Sequence, residues 1–206
     1  MTTYAWPAYA SDKAFWPASV ELGQWHNNRE HESALSGDIQ TNSVPGAKWL
    51  KTLNFPEQTW PERARLHAFL TRLSGKQHRV SLFDPHLPAP QGTINLAGVT
   101  VQTLAAQFAT SIILQGCGNT RTLLRGDWFG VNGQAVITVV DSTSNAGGIM
   151  TVEFRHPLRA SAAVSAAVTL SSPTALYILV TSEFGAPYGT GNRAPPLSIQ
   201  FREVFS

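Results

Sequence analysis

His26, Glu30, His31 and Glu32 are of types that ligate metals and lie close together in the chain. Two histidines five residues apart share no face of a helix or a strand, so the spacing favours a solvated turn over a zinc site. Asp127, Asp141 and Glu153 fall near the ends of expected hairpins, where two carboxylates could act as the acid and base of a glycosidase; acids in turns more often cap backbone or meet solvent. Ser, His and Asp are all present, but the chain has no G-x-S-x-G, no H-E-x-x-H, and no Walker or G-x-G-x-x-G loop. Nucleophilic, metal-assisted and nucleotide chemistry therefore lack a local signature. Arg125-Gly126-Asp127 matches an integrin-binding tripeptide, yet Gly-Asp entering an aromatic strand is better explained as a turn. The residues point to no catalytic, cofactor or metal site, and the expectation is a protein that is not an enzyme.

What remains is surface. Arg63, Arg65, Arg72, Lys76 and Arg79, with His67 and His78, make one side of an expected helix and its exit basic, suited to solvent, phosphates or acidic groups on a neighbouring subunit. Trp6-Pro7 and Trp16-Pro17 mark an aromatic, proline-rich arm that needs something to lie on; such aromatics could also stack on sugars. Charged residues are 14% of the chain against a usual ~25%, which leaves wide uncharged areas for partners to cover. The 15 Lys and Arg are spread along the sequence, without the clustering of a nucleic-acid footprint. Cys117, the single cysteine, makes no internal disulfide and cannot by itself hold zinc or an iron–sulfur cluster, consistent with synthesis in a reducing compartment. No apolar run approaches the ~20 residues of a membrane span, and the first residues lack the pattern of a secretion signal.

The elements that must position these groups centre on residues 46–85. Thr59 can cap a helix, Glu62 stands at the capping-box position and Pro61 falls in the first turn. Leu66, Phe69, Leu70 and Leu73 follow at i, i+3, i+4 and i+7, and Gly75 can take the left-handed C′ position. Burying that stripe is worth at most roughly 6–12 kcal/mol, so the helix over 59–74 needs a sheet beneath it. Alternation predicts a strand over 48–55, with Trp49, Leu53 and Phe55 on one face, and another over 79–83. Upstream, a strand over 20–25 gives way to a polar turn at 26–29, a weak strand through Ser33 and Leu35, and a turn at 36–38.

Residues 87–92, with Pro88 and Pro90, suggest a boundary between an N-terminal β lobe (1–90) carrying the main helix and a β-rich C-terminal lobe (91–206), although one intertwined domain is also compatible. Strands are expected over 93–103 and 109–115. Asn132-Gly133 joins 123–131 to 135–140 as a hairpin, and a second turn leads to an alternating strand over 149–155. Residues 159–170 read as irregular to strand, 176–180 as a buried strand, 185–196 as a Gly/Pro contact loop, and Leu197, Ile199 and Phe201 as alternating in a final strand. The fold class is mainly β (α+β with one principal helix), in β-sandwich or barrel-like lobes.

Taken in order, GAKW and its alternating strand, the helix PERARLHAFLTRLSG, a basic exit and a strand ending in DP resemble the distal tail proteins of long-tailed (siphophage-type) bacteriophages and gene transfer agents. LLRGDWFGVNGQAVITVVDSTSNAGGIMTVEFRHPLR and PTALYIL extend the resemblance, which covers residues 46–179. It implies a homo-oligomeric ring, usually of six subunits and otherwise three, at the distal end of the tail tube. The ring would join the tube protein to the tail-tip hub or baseplate and fibre proteins, with DNA passing only in transit, no cofactor and no catalysis. Location in the virion, after synthesis in the host bacterial cytoplasm, is implied as well. Some tail-tip proteins carry a cysteine-bound iron–sulfur cluster, a pattern from which this chain departs. Under this reading Trp6, Trp16, Arg63, Arg65, Arg72, Tyr188 and Arg193 are the candidate inter-subunit contacts. Another tail or head–tail connector protein, and a carbohydrate-binding β-sandwich for host attachment, stay open as alternatives.

Overall fold

Ala175–Leu179 is apolar on both faces, and a strand of that kind needs a neighbour on each edge. The structure, a computed structural model describing residues 1–7, 12–32, 37–43, 46–181 and 192–205, supplies both. Arg79–Leu82 pairs with it antiparallel on one side, with Tyr177 opposite Val80, and Leu197–Glu203 on the other, with Tyr177 opposite Glu203. Lys48–Phe55 follows next to Leu197–Glu203, and Ser19–Trp25 lies outermost; Thr3–Ala5 adds parallel to Arg79–Leu82 at the far edge. Six strands thus form the main sheet.

The helix runs from Trp60 to Arg72 with Thr59 as its cap. Glu62 Oε2 accepts from the Thr59 backbone N–H at 2.9 Å and from its hydroxyl at 2.8 Å. Leu66, Leu70 and Leu73 are buried, with Phe69 packed beside them, against Leu53, Phe55, Val80, Leu82, Tyr177, Ile199 and Phe201 of the sheet. The left-handed turn after the helix begins one residue earlier than expected, at Ser74 (φ 49°), and continues through Gly75 (φ 64°).

Residues inside the second core build a barrel. Thr100–Val101, Ser111–Gln115 and Met150–Glu153 form one three-stranded sheet, and Gln134–Ile137, Trp128–Val131 and Val168–Thr169 another. Isolated bridges Thr138↔Phe154 and Thr100↔Ala167 join the two at both ends, so the pairings close on themselves. Val101, Ile112, Leu114, Phe129, Val131, Val136, Met150, Val152, Phe154 and Val168 point inward, alternating as a filled barrel requires. The Trp128–Val131 and Gln134–Ile137 hairpin turns through Asn132 (φ 50°) and Gly133 (φ 73°), a type I′ geometry. Its alternate residues Trp128, Ala135 and Ile137 pack into the first core, making it a wall shared by both lobes.

Three expectations need correcting. The boundary at 87–92 is real on one side only, because Ala175–Leu179 and Leu197–Glu203 return to the first sheet; the barrel is an insertion, and 91–206 is not a separate lobe. Both connections to the insertion run side by side, the Ser172 N–H donating to the Pro88 carbonyl. Met150–Glu153 pairs with Ser111–Gln115, while Gln134–Ile137 meets it just past its end, at the Thr138↔Phe154 bridge, where the Val139 N–H donates to the Glu153 carbonyl. Residues read as a polar turn at 26–29 open a hairpin, Asn28–Glu32 with Ile39–Ser43; residues 33–36, part of the weak strand and turn expected there, lie outside the described ones.

Candidate functional site

The candidate contact residues divide into buried and exposed. Trp6 is not an arm residue but part of the first core: its ring packs edge-on against Phe15, Phe69 and Phe201, with centroids 5.7, 5.3 and 5.8 Å away, and its Nε1 donates to the Phe15 carbonyl. Trp6 thus packs between the 3₁₀ turn Lys13–Phe15 and the helix, and a large aromatic there fills that end of the first core. Arg63 is likewise no surface cation. It is 3% exposed, its Nε donating to Gln58 Oε1 (3.1 Å) and its Nη2 to the Pro195 carbonyl (2.6 Å), because its position on the helix turns toward Gln58–Thr59 and Arg193–Ala194.

Arg65 and Arg72 stay on the exposed side, engaged with their own chain. Arg65 Nη2 lies 3.4 Å from Asp12 Oδ1, and the Arg72 guanidinium lies 4.3 Å from the Tyr4 ring centroid. The basic helix face therefore holds down the N-terminal segment. Trp16 is half exposed, and Arg193 is exposed in the short strand Arg193–Ala194. Tyr188 and most of the expected contact loop lie outside the described residues.

The chemistry-bearing groups are scattered. Asp127 is buried, its carboxylate accepting the backbone N–H groups of Gln91 (2.8 Å), Gly92 (3.2 Å) and Leu124 (2.8 Å). It fastens the boundary segment to the barrel, where Gly92 fits because it lacks a Cβ, which would fall 2.1 Å from the Thr122 carbonyl oxygen. Arg125 points outward and Asp127 inward around Gly126 (φ 93°), so the tripeptide is a turn. Asp141 and Glu153 do line one open cleft of about 420 Å³, but Asp141 accepts the Arg125 backbone N–H at 2.7 Å. His31 alternates with Glu30 and Glu32 along one strand, which puts it on the opposite face from both.

Sequence reasoning missed a polar cluster at the junction of the lobes. Lys51 shares the buried parity of Trp49, Leu53 and Phe55, and Glu203 that of Ile199 and Phe201. Those two charges at core positions of adjacent strands were the readable signal. The Glu203 carboxylate accepts the Trp49 backbone N–H at 3.0 Å and faces His156 Nε2 at 3.3 Å. Gln24 Nε2 meets His156 Nδ1 at 3.2 Å, and with Gln24 as donor there, Nε2 carries the proton that Glu203 accepts. The His156 ring stacks on Trp49 at 5.3 Å, and Arg159 Nη2 approaches its Nε2 at 3.4 Å.

Lys51 Nζ sits 5.4 Å from the Tyr177 ring centroid. Burial pushes its ammonium down to about 8, against the opposing pull of Asp84 and Glu203. Burial, with lesser contributions from Glu203 and Asp84, holds the Tyr177 phenol well above its usual range. Beside Arg159 and Glu203 opens a cavity of about 160 Å³, smaller than the ~300–1,000 Å³ of ordinary ligand pockets. The cluster fixes the barrel to the sheet: His156 and Arg159 come from one, Gln24, Trp49 and Glu203 from the other.

Two surfaces face away from every core. Among the described residues the hairpin Asn28–Glu32/Ile39–Ser43 pairs only with itself, and its described side chains are exposed. Ser19–Trp25, which leads into it, pairs along one edge only among the described residues. No protein-family model matches this chain, and no curated protein matches it.

Proposed function

We propose that this chain is a structural protein of a phage virion, a subunit of a ring at the distal end of the tail tube that joins the tube to the tail-tip hub or baseplate and fibres. The observation that carries the reading is the self-paired hairpin projecting beside an unpaired seven-residue sheet edge. A two-stranded hairpin is marginal alone in water, and a long open edge invites another chain. A hairpin at one place and an open edge at another are different surfaces, which is what a head-to-tail contact that closes into a ring uses. The role is assembly without catalysis or cofactor, in the virion, following synthesis in the host bacterial cytoplasm; DNA passes only through the lumen.

Native mass spectrometry and electron microscopy of the purified full chain test this. A closed assembly of six copies, or of three, is expected. A chain that stays monomeric at high concentration, or that binds glycans as a monomer, overturns it in favour of a carbohydrate-binding module.

A further inference from the structure

We infer that the outer face of the six-stranded sheet seats the hairpin of a second copy of this chain, an inference that rests on the ring reading. On the face turned away from the helix, Leu50 and Val180 line a groove of about 300 Å³ beside Gly23, flanked by Glu21 and Thr52. Gly23 stands opposite Leu50 and carries no side chain to cover it. The lining crosses from the free edge Ser19–Trp25 over Lys48–Phe55 and Leu197–Glu203 to Val180, just past Ala175–Leu179. Four adjacent strands at about 4.8 Å spacing make this roughly 14 Å wide. The hairpin strand Asn28–Glu32 has five residues, about 17 Å at about 3.4 Å each, so it spans the groove.

Chemistry matches as well as length. Glu32 stands opposite Ile39 and Glu30 opposite Thr41, which puts Glu30, Glu32, Ile39 and Thr41 on one face of the ribbon. Ile39 is 65% exposed, the apolar residue of two strands that are otherwise polar, Asn28–Glu32 and Ile39–Ser43. Arg202, exposed and opposite Leu50 in the register, stands beside the groove on the same sheet face as a cation for Glu30 and Glu32 to meet. The hairpin leaves the sheet beyond Trp25 and Lys48, past the end of its own groove, so the groove it fills belongs to a neighbour.

Full-length variants test the contact by sedimentation and native mass, with circular dichroism and melting temperature verifying the fold of each. Ile39→Asp is expected to weaken association about tenfold or more without changing the melting temperature. Arg202→Glu, and separately Glu30→Lys with Glu32→Lys, should each weaken it about tenfold or more by opposing like charges, and the chain carrying both sets should recover assembly. If the wild type assembles and these variants assemble equally well, or the combined chain fails to recover, the seat is wrong while the ring reading stands. A wild type that never assembles overturns both.

Discussion

His156 Nε2 lies 3.3 Å from Glu203 Oε2 with neither side chain open to solvent, so the inserted barrel and the last strand of the main sheet are joined through one buried pair. Removing Glu203 leaves the His156 Nε2–H and the Trp49 backbone N–H without their acceptor, about 3–5 kcal/mol together at about 1–3 for each. Glu203→Ala is therefore expected to lower the melting temperature by roughly 6–20 °C. Because the pair bridges two cores, calorimetry of this variant should resolve two transitions where the wild type shows one. Glu203→Gln retains an acceptor for the Trp49 N–H and should lose less.

Lys51 gives a pH signature. Its folded value, about 8, lies below the 10.5 of a free lysine, so between those pH values the unfolded chain holds a proton that the folded chain has released. The charged ammonium costs stability at pH 7, and that cost fades as pH rises from 8 to 10.5. Urea unfolding of the wild type against Lys51→Met should show the wild type gaining about 3 kcal/mol relative to the variant across that window. The comparison cancels every other titrating group. A flat difference would mean that Lys51 is not buried as a cation.

Asp127 is a backbone anchor, with three N–H donors on one carboxylate. Asp127→Ala strands all three and should cost about 3 kcal/mol or more, a fall of roughly 6–12 °C in melting temperature. Asp127→Asn keeps one acceptor oxygen and should fall between. Hydrogen exchange at Gln91, Gly92 and Leu124 should rise together in the alanine variant.

Trp6 separates an arm from a core. Trp6→Ala should destabilise the isolated subunit by about 3–5 kcal/mol, as a core truncation does. An aromatic that docked only on a neighbour would leave monomer stability within about 0.5 kcal/mol and alter assembly alone. Denaturant melts of dilute protein distinguish the two.

The helix and the barrel hairpin were legible because their signals are local: Thr59, Pro61 and Glu62 sit within one turn, and Asn132-Gly133 demands its own geometry. The insertion was not legible, since the pairing of Tyr177 with Val80 is fixed by tertiary contact and no periodicity names a partner so far along the chain. Arg63 and Trp6 were misassigned for a related reason. Residue type predicts exposure for an arginine, but Gln58 and the Pro195 carbonyl, brought together by folding, give its guanidinium partners inside. Lys51 and Glu203 sat in plain alternation with apolar neighbours, and the pattern was more trustworthy than the charge.

Inserting the barrel between Arg79–Leu82 and Ala175–Leu179 also sets an order of events during synthesis. The main sheet cannot close until Leu197–Glu203 has left the ribosome, well after the whole barrel has emerged. At about 5–20 residues per second that wait is roughly 6–24 s after Leu82 is made. The lobe that begins first is completed last, and through that interval Arg79–Leu82 and Lys48–Phe55 wait for the strands that will lie between them.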